Sequence, residues 1–229
     1  MMPDDPFSNR TEDFLNKALK AGVGSLPVVG SALAEFFNFV VVDPAQERRD
    51  DFLRETMERL VALQDNHDQL SAEALRSNEA FQATMLQAAR LATSTASAEK
   101  RELLQNAVLN SAIGTIDENV RQIFLEMIES MTPMHVVLLK FLSNPKESPE
   151  AVASAKSIMM GSMEHVITAA LPKVTEDKEL FRRLVGDLYR FGLTTRDSFG
   201  GMQSGGDSLL NPATTQIGRG LLNFIERPD

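Results

Sequence analysis

Few residues in this chain are equipped for chemistry. Its 229 residues include three histidines, His67, His135 and His165, and no cysteine or tryptophan. Without cysteine there is no disulfide, thiol nucleophile, zinc–thiolate centre or iron–sulfur cluster. A metal site on a helix needs His or Glu three or four residues apart, as in HExxH or ExxH, and neither pattern occurs. His165 directly follows Glu164, and adjacent helical residues point ~100° apart, so the two cannot share an ion. His67 sits in a polar stretch, and His135 in the first turn of an expected helix beside Pro133. Glu55/Glu58 and Glu126/Glu129 are paired carboxylates at i,i+3, but they fall on outward helix faces, where acids serve solvation and ion pairing. Gly22-x-Gly24 lacks both the GxGxxG spacing and the lysine-serine/threonine ending of a phosphate loop, and there is no GxSxG elbow. The reading is a chain with no catalytic residues, no metal ligands and no cofactor, hence not an enzyme.

What remains is surface, and the elements that present it. Basic residues number 23 and acidic residues 32, giving a net charge of -9. The imbalance is local: residues 1–131 hold 12 basic and 21 acidic side chains, residues 132–229 hold 11 of each. At 43% hydrophobic and 24% charged the composition is that of a globular protein. The first ten residues carry acids and prolines rather than a basic patch and an apolar run, so no secretory signal is read. That, with the lack of cysteine, points to a cytoplasmic protein.

The most apolar stretch is 23–42, whose only charge is Glu35. Pro27 marks a helix start, leaving roughly fifteen helical residues, about 23 Å at the α-helical rise. That is short for a bilayer span and normal for a helix buried in a bundle. Val28, Leu33, Phe36, Phe37, Phe39 and Val40 are therefore the candidate surface for a partner, or for a membrane met only conditionally.

Helical periodicity and caps run through the rest. Asp43-Pro44 opens a charged helix to about Asn66 with Leu53, Met57, Leu60 and Val61 inward. Ser77 or Asn78 caps a stripe of Phe81, Met85, Ala88 and Ala92. Ser97 opens a helix that faces Leu103, Leu104, Ala107 and Val108 inward and ends at Gly114. Asp117 caps one with Val120, Ile123, Phe124, Met127, Ile128 and Met131 inward. After Thr132-Pro133 a short apolar helix runs to Leu142, and Ser148-Pro149 starts another that breaks near Gly161 and resumes to Leu171. Thr175 is the expected cap of a strongly amphipathic helix with Leu180, Leu184, Val185, Leu188 and Phe191 inside, closed by Gly192. A soft glycine- and serine-rich stretch, 194–214, precedes a last helix from Thr215. The expected architecture is all-α: an acidic multi-helix bundle over 1–131, then a second module over 132–229.

The second module, over roughly 132–226, resembles the winged-helix domains of bacterial regulators. The residues that carry this are LFRRLVGDLYRFGLTT (180–195), the soft stretch, and TTQIGRGLLNFI (214–225). The resemblance implies a nucleic-acid or protein docking module. For nucleic acid, Lys178, Arg182, Arg183 and Arg190 are the candidate phosphate contacts. The module's zero net charge and the acidity of the whole chain disfavour that partner. A second resemblance covers most of the chain. LPVVGSALAEFFNFVV (26–41), KRELLQNAVLNSA (100–112) and IFLEMIESMTPMHVVLLKFL (123–142) look like bacterial helical proteins of the abortive-infection alpha type, which implies a role in phage defence. The expectation is a non-enzymatic interaction or effector protein of a bacterial defence or stress system, with a protein partner or a second copy of itself. The alternative is a winged-helix DNA-binding transcriptional regulator with a helical dimerisation or sensing domain.

Overall fold

A computed structural model describes residues 47–64, 67 and 70–228. Among these the chain forms eleven α-helices and one two-stranded antiparallel ribbon. The described residues fall into two compact units, one holding the described part of 47–97 with 104–118 and 228, the other 98–103 with 119–227.

The first unit contains α1 (Glu47–Leu63), α2 (Ala72–Ser77), α3 (Glu79–Ser94) and, after its first turn, α4 (Ala98–Ile113). The expected helix start at Asp43 and Pro44 lies outside the described residues. α3 follows its expected stripe: Phe81, Met85, Ala88 and Ala92 are all buried. Its cap is Asn78, whose Oδ1 accepts from the Phe81 N–H at 2.9 Å. On α1, Leu53 and Leu60 are buried as expected, Met57 and Val61 only half so, and Phe52 is wholly enclosed. α4 buries Leu104, Ala107 and Val108 together with the polar Gln105 and Asn106. These polar groups are answered from α1. Arg59 donates to Gln105 Oε1 at 3.1 Å and to Asn106 Oδ1 at 2.5 Å, and Gln105 Nε2 donates to Glu55 Oε2 at 2.8 Å. Such a network tolerates one relative placement of the two helices, since a shift would strand buried polar atoms.

The second unit contains most of α5 (Glu118–Ser130), then α6 (Pro133–Ser143), α7 (Pro149–Ser157), β1 (Met160–Gly161), α8 (Met163–Ala170), α9 (Pro172–Thr175), α10 (Lys178–Arg190), β2 (Gln203–Ser204) and α11 (Gln216–Ile225). Two faces differ from expectation. On α5, Phe124, Met127, Ile128 and Met131 are inside, but Val120 and Ile123 are exposed. The buried stripe is centred near Leu125, and Ile123, two residues away, lies about 200° round the helix from it. On α10 the inward set is Phe181, Leu184, Val185 and Leu188, while Leu180 is exposed and Phe191 half-buried. The cap of α10 is Asp177 rather than Thr175: its Oδ1 accepts from the N–H groups of Glu179 and Leu180 at 2.8 and 3.0 Å. Gly192 closes the helix at φ 70, the left-handed conformation expected there.

The soft stretch is pinned. β1 pairs β2 with Met160 opposite Ser204 and Gly161 opposite Gln203. Residues 193–195 run antiparallel to 213–215, with Thr195 N–H donating to Ala213 O at 2.8 Å and Thr215 N–H to Leu193 O at 2.9 Å. Phe199, Leu209 and Leu210 are buried from this stretch. α11 then packs closely. A Cβ on Gly218 would land on the Leu193 carbonyl oxygen, and one on Gly220 would lie 3.2 Å from the Phe124 ring. The two glycines that weaken α11 as a helix are thus what lets it approach its neighbours.

Gly186, in the middle of α10, is the opposite case. It is exposed, and a Cβ there meets nothing within 4 Å. Replacing each by alanine should therefore give changes of opposite sign. Gly218→Ala lowers stability by roughly 1–3 kcal/mol through overpacking, and Gly186→Ala raises it by about 0.5–1 kcal/mol through helix propensity. Urea unfolding of the two variants checks both signs.

Candidate functional site: the outward face of α10

α10 presents six charged side chains along one helix. Its thirteen residues hold four cations, Lys178, Arg182, Arg183 and Arg190, against Glu179 and Asp187. All four cations are exposed, which places the four expected phosphate contacts on one helix with their charges outward. Leu180 and Tyr189 are exposed on opposite flanks of the helix, at 41% and 49%. The second unit as a whole has 14 basic and 14 acidic residues, so this helix is a local excess in a neutral unit.

Asp187 modifies that excess. Its side chain is 14% exposed, and its carboxylate takes Arg183 Nε on Oδ2 at 2.8 Å and Arg190 on Oδ1 at 2.9 Å. The spacing does this: 183, 187 and 190 are successive i,i+4 and i,i+3 neighbours on one helix surface. Arg190 also lies 5.6 Å over the Phe191 ring. Two of the four cations are thereby held along the helix, and Lys178 and Arg182 have none of these bonds to Asp187.

Behind Asp187 lies a group that spacing alone does not reveal as special. His135 of α6 is 4% exposed, with Nε2 3.6 Å from Asp187 Oδ2, beyond hydrogen-bond reach. Among the described residues Nε2 has no hydrogen-bond partner. Its Nδ1 is committed, since Thr132 N–H donates to it at 3.0 Å and Thr132 Oγ1 lies 2.9 Å away. This is a capping box with histidine where glutamate or glutamine usually stands. With the Nδ1 lone pair used, the imidazole proton belongs on Nε2, facing Asp187. The same device opens α8, where Ser162 N–H donates to His165 Nδ1 at 3.3 Å. A signal was present in the sequence: Thr132-x-x-His135 and Ser162-x-x-His165 share the capping-box spacing at two expected helix starts.

Burial holds the His135 imidazole below the usual histidine range. The Asp187 carboxylate opposes this, and the positive charges of Arg183 and Lys100 add to it. Lys100 belongs to the same unit, donates to the Glu129 carbonyl at 2.6 Å, and is itself lowered by burial against the pull of Glu129.

The apolar candidates Val28, Leu33, Phe36, Phe37, Phe39 and Val40 lie outside the described residues. Among the described residues no helix is long and apolar enough to cross a membrane. Nor does any group of three or more His, Asp or Glu among them offer a metal site. Comparisons with protein-family models, curated proteins and solved structures find no match for this chain.

The depressed His135 gives a pH dependence of known sign. Between the folded value and the unfolded value of about 6.5, the unfolded chain binds the extra proton. Stability is therefore full above about pH 6.5 and falls as acid carries the pH through the folded value. Gln in place of His135 keeps an acceptor for the Thr132 N–H and a donor toward Asp187. Urea midpoints measured from pH 7.5 down to 5 should drop for the wild type and stay flatter for His135→Gln. Equal slopes would remove His135 as the cause.

Proposed function

We propose that this chain is a non-enzymatic interaction protein: an acidic helical unit joined to a winged-helix-like docking unit that presents α10 to a protein partner. The observation that carries the reading is the outward face of α10, where exposed Arg182, Arg183, Tyr189 and Arg190 surround Gly186 while Asp187 restrains two of the charges. Arginine and tyrosine are the residue types that most often dominate protein–protein binding energy. The chain order supports the winged-helix-like description. A short strand, β1, is followed by α8 and α10, then by a stretch that returns to pair with β1 through β2, then by a closing helix. The resemblance to abortive-infection alpha proteins supports a setting in cytoplasmic bacterial phage defence or stress response. In that setting the apolar segment 27–42 acts on a membrane only when a trigger releases it.

A second reading, a DNA-binding regulator, is favoured by the surplus of two positive charges on α10. Salt separates the two, because neutralising several phosphates makes affinity fall steeply as salt rises. On the leading reading, random-sequence duplex DNA shows no gel shift even at low salt. A shift that weakens with salt and is lost in Arg182→Glu/Arg183→Glu would replace it with the second.

The effector part is tested separately. Phage challenge of a bacterium expressing the chain should show protection that is lost in both Arg182→Glu/Arg183→Glu and Phe36→Asp/Phe39→Asp. Liposome leakage, if the released segment acts on bilayers, is lost only in the latter. Protection indifferent to both double variants would remove the effector reading.

A further inference from the structure

From the surroundings of Gly186 we infer that α10 is the seat of an acidic amphipathic helix, which crosses it at that glycine. The inference rests on the protein-docking reading above and names the chemistry of the partner.

Among the described α-helices only α10 and α11 contain glycine within their span, at Gly186, Gly218 and Gly220. The latter two face a carbonyl oxygen and an aromatic ring inside the unit. Gly186 faces nothing within 4 Å, has no positive φ, and stands in the middle of a thirteen-residue helix. Glycine is the weakest helix former after proline, so its position here needs a cause, and within the unit no contact supplies one. Its four helical neighbours at i±3 and i±4 are Arg182, Arg183, Tyr189 and Arg190, all exposed. The result is a notch, one side chain deep, bordered by three guanidinium groups and one phenol.

That geometry suits a second helix. The i±4 ridge Arg182–Gly186–Arg190 is interrupted at its centre, and a partner ridge can cross where it is lowest. A small residue at the crossing brings the two backbones close, and arginine stems and the tyrosine ring then cover the flanks. Exposed Tyr189, next to the notch, asks for an apolar side chain on the partner, and the cations ask for acidic ones. A polyphosphate satisfies the cations alone and leaves the exposed tyrosine ring without a role.

The test selects helical 20-residue peptides of random sequence by display on the intact chain, with the same selection on Gly186→Leu and on Arg182→Glu. Both are exposed positions, and circular dichroism confirms that each variant is folded. Acidic amphipathic sequences should be enriched on the wild type, and their affinity should fall about tenfold or more on each variant. Gly186→Ala should bind them more weakly although its fold is more stable, an outcome that a purely structural glycine would not give. Enrichment of neutral or basic peptides, of none, or of peptides indifferent to Gly186→Leu overturns the inference. Peptides that bind elsewhere leave the docking reading standing without it. A 24-base-pair duplex bound by the wild type and Gly186→Leu alike, and lost in Arg182→Glu, overturns both.

Discussion

The carboxylate of Asp187 is where the inside and the outside of the second unit meet. It accepts from Arg183 and Arg190 on the outer surface of α10, while the same Oδ2 that takes Arg183 faces the buried imidazole of His135 on α6. A lone carboxylate brought this close to a core would carry a heavy desolvation cost. Two guanidinium groups on one side and an Nε2–H dipole on the other offset it. The consequence for the surface is that the arginines are oriented rather than free. Ion pairs at this level of exposure contribute little stability, so their significance lies in setting which parts of α10 stay available: Lys178, Arg182, Tyr189 and the notch at Gly186.

His135 ties that surface to the way the fold begins α6. One ring nitrogen satisfies the Thr132 N–H, one of the donors that the start of α6 leaves over. The other looks at Asp187. A proton added to Nδ1 would compete with the Thr132 bond and place a positive charge in a buried site already facing Arg183 and Lys100. The cap of α6 and the buried side of Asp187 therefore share one imidazole. His165 makes the same cap on α8 but is exposed, so the shared motif gives a shared helix start without a shared burial.

Punctuation was the most legible part of the sequence. Asn78, Ser148, Gly114, Gly192 and Thr215 each stand where their chemistry predicts, because caps depend on a few neighbouring backbone groups. Helix faces were less legible. Leu180 and Phe181 are adjacent and both apolar, and a three-or-four-residue stripe can be drawn through either. Which one goes inside is settled by the position of α6, which is not local information. Val120 and Ile123 misled for the same reason. The ribbon of β1 and β2 was invisible, since two-residue strands are too short for alternation to register. Arg182, Arg183 and Arg190 could be read as outward, but the restraint of two of them by Asp187 and the presence of His135 behind it could not. His135 and Asp187 are 52 residues apart, and no periodicity connects them.

Glycine plays opposite parts in α10 and α11. A helix can hold glycine for reasons internal to the fold, and α11 shows two: a carbonyl and a ring lie where a side chain would go. The cost in helix propensity is offset there by closer packing of Leu221, Phe224 and Ile225, all buried. α10 bears the same cost at Gly186 with no such return inside its unit. Its buried face is complete with Phe181, Leu184, Val185 and Leu188, and its cap and its termination are both in order. The weakness is confined to the exposed side, at the centre of the arginine cluster, and it is the observation behind the proposed docking of an acidic helix on α10.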